Sequence, residues 1–105
     1  MIRRFHIYLI SLNPTLDSET AKTRPCIVLS PDEMNRHLQT VIVAPMTHTC
    51  KNWPTRHPIH FQGKTGQIAL DQLRTVSKQQ LIKHLGCLDA PEHPQLLKRL
   101  QAMFA

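Results

Sequence analysis

Arg24 carries the clearest chemistry in the sequence. It stands before Pro25, where a polar stretch meets an apolar one. Its planar fork of donors suits a phosphate, and its high pKa makes it a stabiliser of negative charge and a poor base. Thr47 ends another apolar run, and its hydroxyl either reaches an anion or bonds local backbone in a turn. The carboxylates of Glu19 and Asp71 can take up a proton where burial raises their pKa; otherwise Glu19 is a solvated loop charge and Asp71 a turn acid or ion-pair partner of Arg74. His48 follows Thr47, and since histidine is a residue type suited to proton transfer near neutral pH, it is a base in one reading and an exposed loop residue in the other. Trp53, beside Lys51, Asn52 and Arg56, is either a platform for a nucleobase or partly buried packing. His48, Cys50, His57 and His60 lack paired Cys-x-x-Cys or His-x-x-x-His spacing, so a zinc set is not supported.

The chain that must position these groups has 105 residues, the length of one domain, 1–105, with one modest core. Lys and Arg number 13 against 7 Asp and Glu, a formal charge of +6, which suits a polyanion or an acidic partner. Hydrophobic residues make up 41%, too many for a wholly disordered chain. The apolar stretch Ile7 to Leu12 is ended by Asn13-Pro14, too short for a membrane span or signal core. Three cysteines at wide spacing argue against a disulfide framework and for a cytoplasmic setting. Cys26 and Cys87 sit in apolar contexts and read as core residues.

Short aliphatic and β-branched runs predict strands over Ile7 to Leu12, Pro25 to Ser30 (buried on both faces) and Gln39 to Pro45. Long loops are expected over Asn13 to Thr23 and Met46 to Arg56. Pro58 limits His57 to Phe61 to an edge strand. Gly63 to Gly66 reads as a turn, with strand segments following over Gln67 to Leu70 and Leu73 to Val76. Ser30-Pro31-Asp32-Glu33 predicts a capped helical turn or two running through Arg36, and Ser77-Lys78-Gln79-Gln80 a capped helix ending before Gly86. A last helix starts at Asp89-Ala90-Pro91-Glu92, with Leu96, Leu97, Leu100, Met103 and Phe104 on one face.

Four blocks in order extend this reading. Leu12-Asn13-Pro14-Thr15 followed by Glu19-Thr20-Ala21-Lys22-Thr23-Arg24-Pro25 resembles a D-P-T, S-E-Q-x-G-T-R-P opening. Val28-Leu29-Ser30-Pro31 with Asn35-Arg36, Val43-Ala44-Pro45-Met46-Thr47, and Leu70-Asp71-Gln72-Leu73-Arg74-Thr75-Val76 follow it. The whole, roughly residues 6 to 77, resembles the MazF/PemK family of toxins. That resemblance implies a small SH3-like antiparallel β-barrel with short helices and a C-terminal amphipathic helix. It implies a homodimer with no membrane association that binds single-stranded RNA along a groove. The implied activity is that of a type II toxin, a metal-independent endoribonuclease using the RNA's own 2′-hydroxyl and leaving a 2′,3′-cyclic phosphate and a 5′-hydroxyl. An antitoxin with an acidic segment is the implied protein partner, and no cofactor is implied.

Such cleavage needs a base, donors for the phosphorane's charge and an acid for the leaving oxygen. By the resemblance, Arg24 and Thr47 hold the phosphate and Glu19 or Asp71 assists proton movement, while Lys22, His48, Trp53, Gln72 and Arg74 contact RNA. Ser18 and Ala69 stand where some members carry histidine and arginine, Lys22 replaces a glycine, and His6 replaces an acid. Two rivals follow: a CcdB-like toxin that binds DNA gyrase without catalysis, and a degenerate homologue that binds RNA or antitoxin without cutting.

Overall fold

Alternation of apolar side chains sets most of the architecture. The computed structural model describes residues 1–12 and 22–105, and within them the strands are β1 (His6–Leu12), β2 (Lys22–Val28), β3 (Thr40–Thr47), β4 (Arg56–Phe61), β5 (Lys64–Ala69), β6 (Arg74–Ser77) and β7 (Leu81–Cys87). Helix α1 (Asp32–His37) joins β2 to β3, and α2 (His93–Ala102) follows β7. The strand order is β4-β5-β3-β2-β1-β7, with β6 pairing β3, and every pair is antiparallel. The SH3-like barrel expected from the sequence takes the form of a sheet curled into a half-barrel.

Strand β3 is where the sheet turns its corner. Its first residues, Thr40 to Val43, pair with β6, whereas Met46 and Thr47 pair with β5. On its other side Val43, Ala44 and Pro45 pair with Val28, Ile27 and Cys26 of β2. Pro45 lacks an N–H and suits a position where the ladder changes hands.

The central strands are buried on both faces, as their unbroken apolar runs imply. Ile7, Ile27, Ala44, Ile59, Ile68 and Leu70 form one cluster, closed by Leu96 of α2; burying such a leucine contributes about 1.5–3 kcal/mol. Ile10, Cys26, Val28, Val41, Val43 and Val76 form the other. Burial pushes the Cys26 thiol up to about 12, so it is a neutral filler. Strand β4 is at the sheet edge, where Pro58 can be accommodated.

Several expectations are corrected. Strand β2 begins at Lys22, so Arg24 lies within it, opposite Ile10, and Ser30 lies beyond it. Ser30 does not cap α1: its hydroxyl donates to Asn35 Oδ1 at 2.6 Å and accepts from Ile42 N–H at 3.0 Å. The Ser77–Gln80 capping box forms, but around a single 3₁₀ turn, Lys78–Gln80. Leu81 to Cys87 then pairs with the edge of β1 as β7 rather than coiling, since tertiary pairing outweighs weak local helix preference. Asp89 makes no side-chain cap bond either, and a 3₁₀ turn at Ala90–Glu92 precedes α2. The turn after β4 is Gln62–Gly63, both with positive φ, as in a type I′ hairpin; Gly66 is a buried member of β5. Cys87 is exposed, and Phe104 is 73% exposed rather than on the packed face. Among the described residues no helix is long and apolar enough to cross a membrane.

Candidate active site

Register assembles the first part of the site. Val43 faces both Val28 and Arg74 across its two ladders, and side chains opposite one another share a face. Alternation then carries that face from Val28 through Cys26 to Arg24, and from Val43 through Pro45 to Thr47. Arg24 and Thr47 each lie two residues beyond Cys26–Pro45, the last pair before β2 and β3 part. Thr47 lies four residues along β3 from Val43, the partner of Arg74, a run of about 13 Å in extended chain. The charges of Arg24 and Arg74 both act against the upward push of burial on the Cys26 thiol, as cations sharing its face would. Among the described residues no carboxylate pairs with either arginine.

The Thr47 hydroxyl accepts from Thr49 N–H at 3.1 Å. This is the turn bond its sequence context allowed, and because the oxygen acts only as acceptor in it, the bond leaves the O–H able to donate elsewhere. Gly66 of β5 lies flush against this backbone: a Cβ there would stand 2.5 Å from the Thr47 carbonyl oxygen. A cavity of about 200 Å³ opens beside it, lined by Pro25, Thr47, His48, Phe61, Lys64 and Gly66 among others. His48 is exposed at its rim.

The second part is the loop from His48 to Thr55, which is tied down at several points. Arg56, 5% exposed, donates from Nε to Asp71 Oδ1 at 2.8 Å, from Nη2 to Asp71 Oδ2 at 3.4 Å and from Nη1 to the Thr49 carbonyl at 3.2 Å. Its guanidinium carbon lies 4.8 Å from the centre of the Trp53 ring, and Lys51 Nζ lies 5.6 Å from it. The Gln67 side chain clasps the backbone of Lys51, accepting from its N–H and donating to its carbonyl, both at 2.9 Å.

This arrangement changes the reading of Asp71. The Arg56 hydrogen bond, helped by Thr55, holds its carboxyl below the usual value despite some burial. The raised pKa on which a proton-accepting role depended is therefore not what the structure holds, and its ionic partner is Arg56, not Arg74. The cause is topological: Asp71 sits in a 3₁₀ turn, Leu70–Gln72, docked on the start of β4 through Leu70 N–H to the Thr55 carbonyl at 3.0 Å, while Arg74 has already entered β6. Gln72 and Arg74 are exposed, and Trp53 is 49% exposed. Lys22 opens β2 opposite Leu12. Glu19 and Ser18 lie outside the described residues.

Sequence reasoning missed Arg56, Gln67 and Gly66. Arg56 is separated from Asp71 by 15 positions, so no local pattern announces the pair. Of the imagined zinc set, His57 is bound to Glu92 at 3.0 Å and His60 to Thr65 at 3.1 Å, and among the described residues no three His, Cys, Asp or Glu converge. His6 packs against His84, Nδ1 to Nε2 2.9 Å, rather than supplying the acid it replaces.

Comparison with known proteins bears on the family and the fold. A curated relative, Endoribonuclease MazF of Staphylococcus epidermidis, is 33% identical over 96 residues, 84% of this chain and 78% of the relative. Among solved structures, the Mycobacterium tuberculosis toxin MazF-mt6 superposes with a TM-score of 0.80 at 25% identity, covering 94% of this chain and 95% of its own. An endoribonuclease in complex with its cognate antitoxin from a mycobacterial species superposes with a TM-score of 0.82 at 21% identity, covering 99% and 95%. The family model for the PemK-like, MazF-like toxin of type II toxin-antitoxin systems matches residues 3–104, and the chain belongs to that family.

Proposed function

We propose that this protein is the toxin of a type II toxin-antitoxin system, a single-domain endoribonuclease that cleaves single-stranded RNA without a metal. The observation that carries this reading is the register that puts Arg24, Thr47 and Arg74 on one face of β2, β3 and β6, the first two where β2 and β3 part. Arg24 neutralises the phosphorane as the RNA's 2′-oxygen bonds to phosphorus and the 5′-oxygen leaves, and the Thr47 O–H donates to a non-bridging oxygen. The products are a 2′,3′-cyclic phosphate and a 5′-hydroxyl. His48, exposed one residue from Thr47, is the better candidate for moving protons than Asp71, whose carboxylate is engaged by Arg56; Glu19 also belongs to this proposal. Lys22, Trp53, Gln72 and Arg74 contact the strand, and the formal charge of +6 favours its approach.

The same charge fits an antitoxin's acidic segment, which would compete with RNA for this face. Homodimerisation is part of the proposal, supported by an apolar groove of about 430 Å³ that includes Leu29, Ile42, Leu73, Leu100 and the exposed Phe104. A cytoplasmic setting is supported by three free cysteines. The test is incubation of antitoxin-free protein with a defined RNA in EDTA. We expect cleavage with cyclic-phosphate ends and a loss of at least about 100-fold in Arg24→Ala. Intact RNA alongside inhibited DNA gyrase would overturn the assignment, as would Arg24→Ala cutting at the parental rate.

A further inference from the structure

Arg56 has no part in the chemistry above, yet it is the most heavily engaged cation in the described structure. It is 5% exposed, satisfied on one side by both Asp71 oxygens and on another by the Thr49 carbonyl, and it presents its carbon centre to the Trp53 ring at 4.8 Å. The backbone repeats the link, since Arg56 N–H donates to the Trp53 carbonyl at 3.1 Å. Trp53 nevertheless remains 49% exposed, so its indole is fixed from the protein side without being buried.

We propose that Arg56 is a positioning residue that sets Trp53 as a stacking platform for one nucleobase of a bound single strand, an inference that rests on the functional reading above. A freely rotating indole would lose conformational freedom on stacking; one already held by a buried guanidinium and by a loop clasped at Lys51 loses less. Any base has a π-face, so such a platform holds the strand without selecting its sequence. Lys51 is exposed on a flexible stem, and a stacking base displaces its ammonium from the ring toward a neighbouring phosphate. Arg56 cannot move in the same way, because it is buried and would give up its bonds to Asp71 and to the Thr49 carbonyl. Lysine is no substitute, since one ammonium cannot meet the fork of Asp71, the Thr49 carbonyl and the ring together.

Trp53 is the protein's single tryptophan, so its fluorescence reports the platform directly. In the free protein, Arg56→Lys should move the emission to longer wavelength and increase acrylamide quenching. With a 2′-O-methyl single-stranded oligonucleotide, which cannot be cleaved, parental protein should show quenched Trp53 emission, and Arg56→Lys should bind about tenfold more weakly. Cleavage of RNA by Arg56→Lys should show that same rise in KM with kcat within about twofold of the parent. Trp53→Ala should lose about as much affinity, and the double variant no more than the worse single one, the signature of one residue acting through the other. Additive losses would overturn the proposal. So would unchanged affinity in Trp53→Ala, a readout that holds even if Arg56→Lys folds poorly. Oligonucleotide binding that quenches Trp53 in a protein unable to cleave RNA would sink the nuclease reading and leave this one standing.

Discussion

Replacing Gly66 by alanine tests how closely catalysis depends on the end of β3. The added Cβ would lie 2.5 Å from the Thr47 carbonyl oxygen, 3.4 Å from its carbonyl carbon and 3.8 Å from His48 Cα. Carbon and oxygen do not approach below about 3.2 Å without repulsion, so the strands must separate by most of an ångström, and both flanking atoms are backbone. Overpacking of this kind costs about 1–3 kcal/mol, or roughly 4–8 °C in Tm per kcal/mol for a domain near this size. The displacement falls on Thr47, whose hydroxyl is proposed to hold the scissile phosphate, and misplacing a catalytic group by about 1 Å can cost on the order of 100-fold in rate. Gly63→Ala is the control. Nothing lies within 4 Å of its Cβ, but its φ of +75° strains an L residue, so it loses roughly 1 kcal/mol without pressing on the Thr47 backbone. The assay is steady-state RNA cleavage beside thermal unfolding of both variants. Gly66→Ala should lose kcat well beyond Gly63→Ala even where their Tm values match. Equal kcat in the two would refute the claim that Thr47 must be held where β5 holds it.

Two further outcomes follow from titration behaviour. Because the Asp71 carboxyl is held below its ordinary 3.8 by the Arg56 hydrogen bond, its contribution to stability is present at neutral pH and is lost as pH falls through the lowered folded value. Denaturant unfolding between neutral pH and pH 3 should therefore show the gap between parent and Asp71→Asn narrowing below about pH 4; a gap constant with pH would contradict the ion pair. Cys26 is buried and its thiol is pushed up to about 12, while Cys50 and Cys87 are exposed. A thiol-reactive disulfide at pH 8 should therefore label those two in the folded protein and reach Cys26 only on unfolding.

The strands that build the floor of the site were readable from sequence because their signal is dense and local. Cys26-Ile27-Val28-Leu29 and Val41-Ile42-Val43-Ala44 admit little else, and Pro58 alone assigns β4 to an edge. Strand β7 was not readable, for a physical reason. Leu81, Ile82 and Leu85 fit a helix as well as a strand, and a genuine capping box precedes them. What decides between the two is the edge of β1, more than 70 positions earlier, with which Tyr8 and Ile10 pair to His84 and Leu81. The same distinction runs through the site. Arg24 stood out by residue type and place and Thr47 by the family resemblance, whereas for Asp71 the only ionic partner considered was Arg74, near in sequence, when the fold supplied Arg56.

Why the groups proposed to bind the phosphate gather here follows from the ladder itself. Beyond Cys26–Pro45 the partners of β2 and β3 diverge: β3 continues along β5 while β2 keeps β1 on its other side. Past the buried Cys26–Pro45 pair the two strands are no longer hydrogen-bonded to each other, and Arg24 and Thr47 each stand two residues further along their own strand. A guanidinium and a hydroxyl set there are carried by paired backbone on their outer sides, so they are held in place without filling the gap between them. Pro25 and Pro45 donate no N–H, which leaves fewer strand donors for another chain to pair with at this opening. Displacing the end of β3 from the β5 side or tilting the Trp53 loop should thus affect different quantities, the first acting on kcat and the second on KM, because the first is proposed to hold the reacting phosphate and the second the strand beside it.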